Sequence, residues 1–219
     1  MASVVYAQAK DLPEIASVHK GAFPKALSTK LGEAYIISML SWFLSTEKTF
    51  LFYVKDDSGR PIGYCSGIIR DGVLKTGSSS GIAQHSFNKA VVAFLTRPWL
   101  LFHPEIRLKY KFILKNIKNK LFKNNLPDKK SDQSTVLART QAGLVSIGVL
   151  PEYFGKGIGS MMIKEFEIEA GRRGIGEVYL SVHQNNQQAI KSYERNGWAK
   201  TSSFGDSVIM EKHIDRITR

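Results

Sequence analysis

The 219-residue sequence predicts an α/β fold. Two aromatic-rich segments, residues 49–54 and 61–69, are predicted to form an antiparallel strand pair joined by a polar turn. A later apolar strand, residues 145–149, runs into a glycine-dense turn and then into an amphipathic segment that begins at Ile158. A further strand, residues 178–182, is followed by another helical segment. Strands that alternate with helices in this way are typical of a sheet covered by helices.

The N-terminal third is predicted to contain one strand and two helices. The strand covers residues 4–9. Asp11 and Glu14 have the spacing of a capping box, so a helix is expected from there to about Ala22. The apolar spacing of residues 31–44 predicts a second helix before the strand pair.

The region after the strand pair is predicted to be an insertion. Residues 71–80 are rich in glycine and serine and are predicted as a loop. After them, the stretch at about 84–135 is predicted as a basic helical insertion within a single domain that spans residues 1–219. Helical spacing within it covers residues 87–95 and 106–122.

The net charge of +12 is concentrated between residues 84 and 140. Three acidic residues there are outnumbered by twelve basic ones, so this stretch carries +9 of the total. The basic residues are Lys89, Arg97, Arg107, Lys109, Lys111, Lys115, Lys118, Lys120, Lys123, Lys129, Lys130 and Arg139. A lysine-coated helix packed on the domain explains the charge most simply. Contact with an acidic substrate or an anionic membrane surface is left open, and nucleic acid is not an expected partner because no recognised module is present.

Other features of the composition exclude several classes of protein. The single cysteine, Cys65, excludes an intramolecular disulfide and a cysteine-based zinc site. No run approaches the ~18–20 consecutive apolar residues of a membrane span. The N-terminus lacks the basic start and apolar core of a signal peptide. The sequence therefore predicts a cytoplasmic protein, peripheral to a membrane if the basic stretch binds one.

The glycine-dense turn before Ile158 is predicted to bind a phosphate-containing ligand. Gly155, Gly157 and Gly159 lie where the strand gives way to the helix. The first amides of a helix have no intrahelical partner and carry roughly +0.5 charge, and glycines let a ligand approach the main chain. The spacing G-x-G-x-G differs from the dinucleotide fingerprint and from the phosphate loop of NTPases, which disfavours both assignments. A diphosphate is the expected occupant.

The same segment resembles motif A of the GNAT superfamily of N-acetyltransferases. In that motif a strand ending in V-x-P leads into [RQ]-x-x-G-x-[GA]. Val149 and Pro151 match the first part, and Gly157 and Gly159 match the two glycine positions. Phe154 stands at the Arg or Gln position and is the one departure. That position contributes mainly through its main chain, so the resemblance still implies coenzyme A binding.

A second motif follows at ordinary spacing. The residues from Asn186 to Trp198 resemble the family's N-x-x-A-x-x-x-Y-x-x-x-G-[FW] helix, with Tyr193 at the tyrosine position. From its residue type alone, Asn186 is also a good helix cap. The resemblance implies a central mixed sheet that is splayed at its middle, flanked by helices, and closed by an antiparallel pair at 198–203 and 207–212.

Acetyl-CoA is the co-substrate that the resemblance implies, with no metal. The residues expected to line coenzyme A are Val149, Leu150, Phe154, Gly155, Lys156, Gly157, Ile158, Gly159, Ser160, Asn186 and Tyr193. Most of them would bind through the main chain. Lys156 either adds charge or remains a solvated loop residue, and Asn186 either bonds the pantetheine or acts as a cap alone.

Tyr193 is implied as the general acid, since a phenol is protonated at neutral pH and can donate to the departing thiolate. The base that accepts the amine proton is not evident, because the predicted fourth strand has no acidic residue. His183 is the titratable candidate beside the predicted site, and an imidazole has a suitable pKa. Glu33 and His19 are weaker candidates. A water relay is the default expectation.

The predicted reaction is direct acetyl transfer from acetyl-CoA to a primary amine. Residues 18–24 and 27–32 are similar to acetyltransferases found with surface-polysaccharide synthesis, which implies an amino sugar or a nucleotide-linked sugar as acceptor. A protein or peptide amine is the alternative acceptor. A non-catalytic acyl-CoA-binding module is the alternative from another class, and a homodimer is left open.

Overall fold

The structure is a computed structural model that describes residues 2–70, 78–106 and 140–217. These residues form one seven-stranded sheet of order β1-β2-β3-β4-β5-β7-β6. The strands are β1 (Ser3–Tyr6), β2 (Thr49–Lys55), β3 (Pro61–Arg70), β4 (Gln141–Val149), β5 (Glu177–His183), β6 (Ala199–Phe204) and β7 (Ser207–His213). The helices are α1 (Leu12–Ala22), α2 (Leu27–Leu31), α3 (Glu33–Ser41), α4 (Ser78–His85), α5 (Phe87–Thr96), α6 (Ile158–Arg172) and α7 (Gln187–Arg195). The predicted α/β fold is confirmed.

The sheet is mixed, and its strands separate at the middle. β4 and β5 are parallel, whereas the other neighbouring strands are antiparallel. Residues 142–144 of β4 pair with residues 178–180 of β5. Beyond Leu144, β4 continues along β3 while β5 continues along β7. The predicted splay is therefore present, and it leaves one edge of β4 open.

The first helix begins where the sequence predicts, but its predicted cap acts one turn earlier. Asp11 already has helical backbone angles (φ −86°, ψ −13°) and makes no side-chain cap bond to α1. Its carboxylate instead accepts a hydrogen bond from the Gln8 main-chain N–H at 2.8 Å. That bond closes a 3₁₀ turn, Ala9–Asp11, which precedes α1. The capping box predicted at Asp11 and Glu14 is therefore wrong.

The second predicted helix, 31–44, begins at Glu33 as α3, and a short helix that the sequence does not predict, α2, precedes it across Gly32. This residue has a φ of 99°, which a side chain would rarely adopt, and it separates α2 from α3. A Cβ at this position would lie 3.1 Å from Nη1 of Arg97. The same guanidinium donates to the Lys30 carbonyl at 2.9 Å. The apolar spacing continues across the break, so periodicity alone does not reveal it.

The segment between β3 and β4 is helical where it is described. α5 agrees with the helix predicted at 87–95. α4 includes residues 78–80, where the sequence predicts a loop, so that part of the prediction is wrong; serine is common in the first turn of a helix. The predicted helix at 106–122, beyond its first residue, lies outside the described residues, as do ten of the twelve basic residues.

Two apolar clusters hold helices against opposite faces of the sheet. Phe166 and Ile190 bring α6 and α7 against one face. Ile15 and Ile36 bring α1 and α3 against the other. Burial of each such side chain contributes about 1.5–3 kcal/mol, so these contacts fix the helix ends that border β4. Within the described ranges, every helix is too short or too polar to cross a membrane.

Candidate active site

A cavity of about 650 Å³ lies along the edge of β4 that the splay exposes. Ile147, Gly148 and Val149 of β4 line it, together with the glycine turn, the start of α6 and one face of α7. Ala22 and Phe23, at the end of α1, line it from the opposite side of the sheet. The cavity therefore occupies the place where β5 would pair with β4 if the two strands stayed together.

The glycine turn presents bare main chain to this cavity. Gly155 and Gly157 have φ values of 76° and 80°, so their backbone conformation itself favours glycine. Gly159 differs, because it is the second residue of α6 and has no positive φ. A Cβ added at any of the three would find no heavy atom within 4 Å. Contacts inside the described protein therefore do not explain why position 159 is glycine.

The N-terminus of α6 is electrostatically suited to an anion. Gly157 occupies the N-cap position in a left-handed conformation and supplies no side-chain hydrogen bond. The first amides of the 15-residue helix therefore have no side-chain cap at this residue and point toward the cavity end where Gly157 and Gly159 lie. The helix dipole adds roughly +0.5 charge at this end, which favours phosphate oxygens.

Contacts with the β2–β3 turn hold the glycine turn in place. The Tyr153 hydroxyl donates to Oδ2 of Asp56 at 2.7 Å. The hydroxyl groups of Ser58 and then Tyr153 lower the pKa of Asp56 to about 2, so the carboxylate is ionised at neutral pH. Lys156 places its Nζ 4.7 Å from the centre of the Tyr153 ring. Lys156 thus lies over the Tyr153 ring and is not itself a lining residue of the cavity.

Tyr193 lies in the cavity wall opposite the turn. Its side chain is 6% exposed, and its ring centre lies 6.0 Å from that of Trp198. Burial raises the pKa of Tyr193 well above its ordinary value. The phenol therefore stays protonated at neutral pH and is suited to donate a hydrogen bond more than to give up its proton. Within the described part of the chain, its hydroxyl has no hydrogen-bond partner.

Most of the predicted ligand-binding residues lie around this cavity. Those that line it are Val149, Phe154, Gly155, Gly157, Ile158, Gly159, Ser160, Asn186 and Tyr193. Asn186 also caps α7, since its Oδ1 accepts from the Ala189 N–H at 3.2 Å. The structure thus brings together residues from two separate motifs, although their roles in ligand binding remain predictions.

Three of the predicted site residues are not in the cavity lining. Leu150 is buried in the α1-side cluster, and its N–H donates to the Ile62 carbonyl at 2.9 Å. Lys156 faces Tyr153, as described above. His183 is exposed at the end of β5, where it pairs with Ser207 of β7 and its Nδ1 accepts from the Asn185 N–H at 3.2 Å. His183 is therefore outside the cavity lining, and its role as the base remains a prediction.

Several lining residues were not predicted. Arg195 lies on the cavity in the last turn of α7, three residues beyond Ser192, which also lines it, so the two share one face of the helix. Asn196 donates to Oγ of Ser160 at 3.1 Å and so joins the start of α6 to the end of α7. Phe23 enters the site only because α1 ends against Gly148, and nothing in the sequence indicates that contact.

The described residues contain no group of three or more His, Cys, Asp or Glu side chains able to hold a metal ion. The cavity lining, as far as the chain is described, also contains no carboxylate. Arg195 is the one formally charged side chain in that lining. The geometry thus suits a ligand that carries negative charge at one end and is otherwise held by main-chain and apolar contacts.

Comparison with known proteins agrees with this arrangement. Residues 124–198 match the model of the acetyltransferase (GNAT) family. A spermidine N(1)-acetyltransferase from Thermoplasma acidophilum is 35% identical over 75 residues, which are 34% of this chain. The match spans about half, 47%, of that relative's length.

Solved structures resemble the whole chain in fold. The PaiA N-acetyltransferase of Thermoplasma acidophilum, in complex with coenzyme A, has a TM-score of 0.56 and 17% identity over 97% of this chain and 99% of its own. A ribosomal-protein alanine N-acetyltransferase of Escherichia coli has a TM-score of 0.54 and 16% identity over 100% of this chain and 97% of its own. At these identities the likeness concerns the fold.

Proposed function

We propose that this chain, a GNAT-type acetyltransferase by its fold and by residues 124–198, transfers the acetyl group of acetyl-CoA directly to a primary amine. One observation carries the proposal. Gly159 weakens its helix by about 0.5–1 kcal/mol relative to alanine, yet neither its backbone angles nor its neighbours require glycine. A ligand that touches the main chain at this point explains the residue.

Coenzyme A is the ligand that fits this position. Its diphosphate would lie at the N-terminus of α6, against the amides of residues 157–160. Arg195 would add a positive charge from the other wall. The pantetheine would follow the open edge of β4 toward Tyr193, where an unpaired strand edge can hydrogen-bond an amide-containing chain. The structure of similar fold from Thermoplasma acidophilum is in complex with coenzyme A, which supports coenzyme A as the ligand.

The residues of the cavity would act mainly by positioning the reactants. When bound, acetyl-CoA supplies an activated acetyl group as a thioester. Holding that thioester and an amine in near-attack geometry can contribute about 7–11 kcal/mol. Tyr193 would donate a hydrogen bond to the sulfur as negative charge develops on it, and its raised pKa keeps the phenol protonated for this purpose.

The acceptor that the cavity favours is an amine on an uncharged or anionic carrier. A polyamine carries several positive charges and would need carboxylates nearby, whereas the described lining has none. An amino sugar or a nucleotide-linked amino sugar satisfies this condition. A protein or peptide amine is the second candidate, and the fold it shares with the Escherichia coli ribosomal-protein acetyltransferase keeps it open.

Thiol release tests the proposal. The purified chain is incubated with acetyl-CoA and, in separate reactions, with amino sugars, nucleotide-linked amino sugars, polyamines and peptides. An amine-dependent release of thiol is expected with the sugar pools. A chain that binds acetyl-CoA but releases no thiol with any pool would instead be a non-catalytic acyl-CoA-binding module.

Tyr193→Phe tests the role of the phenol. The variant is expected to lower kcat by about 10²-fold, because it removes a donor to the leaving sulfur, while the Kd for acetyl-CoA changes little. Tyr179→Phe is the matched control, since Tyr179 is a partly buried tyrosine of β5 outside the cavity lining. Unchanged turnover in Tyr193→Phe would remove the phenol from the mechanism.

The basic stretch remains a prediction. Ten of its twelve basic residues lie outside the described part of the chain, so its contact with an acidic acceptor or an anionic membrane is proposed from the sequence alone. A cytoplasmic location and a homodimer are likewise proposed from the sequence alone.

A further inference from the structure

A chain of four hydrogen-bonding side chains crosses the interface between α1 and the sheet. Nε2 of His19 lies 2.8 Å from Oγ of Ser28, at the start of α2. Nδ1 of His19 lies 2.7 Å from the Tyr64 hydroxyl on β3. That hydroxyl lies 2.8 Å from Oγ of Ser146 on β4. His19, Tyr64 and Ser146 lie far apart in the sequence, so only the fold brings this series of hydrogen bonds together.

Two members of this chain are removed from water. His19 is 5% exposed and Tyr64 is 0% exposed. Burial lowers the pKa of His19 to about 4, so the imidazole is neutral at neutral pH. Burial also raises the pKa of Tyr64 above its ordinary range, so the phenol keeps its proton. Buried polar groups persist when their hydrogen bonds are satisfied, and such a chain polarises its members in one direction.

The Ser146 hydroxyl reaches this chain because β4 has a bulge. Ser66 pairs with Ser146 and Gly67 pairs with Leu144, so Val145 is an extra residue without a partner on β3. A bulge of this kind turns the side chains beside it to a new direction. Val145 packs against the α1-side cluster, and Ser146 meets Tyr64 on the same side.

The bulge lies next to the cavity. It follows directly after Leu144, the last residue of β4 that pairs with β5. The two residues after Ser146, Ile147 and Gly148, line the cavity. Phe23 lines it from α1, and its ring centre is 5.1 Å from that of His19. Ser146 is not one of the lining residues, but it is partly exposed although it lies in a central strand, and it adjoins the cavity through Ile147.

We propose that Ser146 Oγ binds the acceptor amine, and that Tyr64 and His19 are positioning residues that fix its hydroxyl. The proposal rests on the function proposed above and deepens it by naming the acceptor contact. His19 donates from Nε2 to Ser28 and accepts from Tyr64 at Nδ1. Tyr64 in turn accepts from the Ser146 O–H. The lone pairs of Ser146 are then left to accept an N–H of the amine at the α1 side of the cavity.

Hydroxyl groups set the donor and acceptor direction of the hydrogen bonds at His19. Tyr64 is the titratable group that contacts it from β3, and Phe23 packs on it from its own helix. An ion pair on the adjoining helices joins Lys20 to Glu33 at the surface, with an N–O distance of 2.6 Å. Glu105 lies at the Ser28 end of these hydrogen bonds, where its Oε1 accepts from the Leu27 N–H at 2.9 Å, and an uncharged serine oxygen is the acceptor at the cavity end.

The test separates amine recognition from acetyl-CoA binding and from folding. Ser146→Ala and Tyr64→Phe are assayed in the full chain with the amine that gives thiol release in the wild type. Each is expected to lower kcat/KM for the amine by about 10–100-fold, the effect of one hydrogen bond to a charged or polarised group. The KM for acetyl-CoA should stay within about twofold. Ser146→Thr keeps the hydroxyl and should retain most of the activity.

A double variant and a control complete the design. Ser146→Ala combined with Tyr64→Phe should be no worse toward the amine than Ser146→Ala alone, because Tyr64 acts through Ser146. Ser41→Ala removes another serine–histidine hydrogen bond, 3.0 Å from Ser41 Oγ to His85 Nε2, outside the cavity lining and should leave kcat/KM unchanged. A purely structural role would instead change the melting temperature and both KM values together.

The outcomes distinguish this proposal from the function on which it rests. A wild-type chain that releases no thiol with any amine overturns both. An active wild type with Ser146→Ala at unchanged kcat/KM for the amine overturns the Ser146 assignment and leaves acetyl transfer in place. Additive losses in the double variant would assign Tyr64 a contact of its own and overturn its positioning role.

Discussion

Glycines serve opposite purposes in the turn before α6 and in the contact between α1 and β4. At Gly155, Gly157 and Gly159 an added Cβ would meet no heavy atom within 4 Å. At Gly21 it would lie 2.5 Å from Leu150 Cδ2, and at Gly148 it would lie 2.7 Å from Phe23 Cε2. The first region is open to something outside the protein, whereas the second is already filled by the protein itself.

Because of this difference, ligand affinity and protein stability are expected to depend on different residues in the two regions. Residues that border the glycine turn can change ligand affinity with little effect on stability, because they have few neighbours. Residues between α1 and β4 are expected to do the reverse, because packing there is close and a displaced helix moves Phe23 in the cavity wall.

Gly159→Leu should nearly abolish coenzyme A binding while the protein stays folded. A branched side chain would fill the space that the diphosphate needs, so the Kd is expected to rise about a thousandfold, or about 4 kcal/mol. Calorimetric titration with coenzyme A measures it. Lys164→Leu puts the same side chain on an exposed position of α6 and serves as the control. Unchanged affinity in Gly159→Leu would contradict the placement of the ligand.

Acid should weaken the α1 side through His19. Burial lowers the pKa of His19 to about 4 from about 6.5 in an unfolded chain. Above pH 6.5 both states are neutral and the effect is absent. As the pH falls from 6.5 to 4, the unfolded state binds a proton that the folded state does not, so the free energy of unfolding should fall by about 3 kcal/mol. Below pH 4 this loss is complete.

Urea unfolding at pH 7, 6, 5 and 4.5 measures this loss. His19→Gln should remove most of the slope, whereas His85→Gln, at an exposed histidine, should leave it in place. Asp56, whose pKa is about 2 in the folded protein and about 3.9 in an unfolded chain, begins to lose its own contribution only at the lower end of this window. An equal slope in His19→Gln and wild type would show that another group is responsible.

Gly148→Ala should destabilise the fold by about 1–3 kcal/mol, the usual effect of overpacking a close contact. The new methyl group would lie 2.7 Å from Phe23 Cε2 and 3.1 Å from the Ala22 Cβ, so the end of α1 must move. Thermal unfolding without ligand provides the measurement. A variant as stable as the wild type would mean that the end of α1 can move at little cost in free energy. It would contradict the expected difference between the two regions.

Gly159→Ala should stabilise the unliganded protein, the opposite of the effect expected for Gly148→Ala. Alanine favours helix over glycine and meets no neighbour here, so the unliganded protein should gain about 0.5–1 kcal/mol. Coenzyme A should bind more weakly at the same time. Thermal unfolding with and without the ligand checks both effects, and a loss of stability without ligand would show that glycine is needed by the fold.

The parts of the fold that the sequence predicts are those with local signals. α6 begins at Ile158 as predicted, because Gly157 takes a left-handed conformation that ends the turn. α7 begins after Asn186 because that side chain caps it. Both motif segments contribute to one cavity because each helix follows directly after a strand of the sheet.

The parts that the sequence does not predict depend on contacts between distant segments. The hydrogen bond between Tyr64 and Ser146 joins residues 82 positions apart and requires the bulge at Val145, for which the sequence has no signal. His183 shows the converse. It follows directly after the apolar run of β5, which predicts a place at the site, whereas in the structure it is exposed beside Ser207 and outside the cavity lining.

The short ladder between β4 and β5 divides the sheet into two half-sheets, β1–β4 and β5–β7, that share three residue pairs. A ligand bound between them would contact both half-sheets and connect them where the main chain forms no hydrogen bonds between β4 and β5. A bound molecule is therefore expected to raise the free energy of unfolding by mass action and to slow hydrogen exchange along the open edge of β4. The gap between the two half-sheets thus makes the stability of this seam depend on what occupies it.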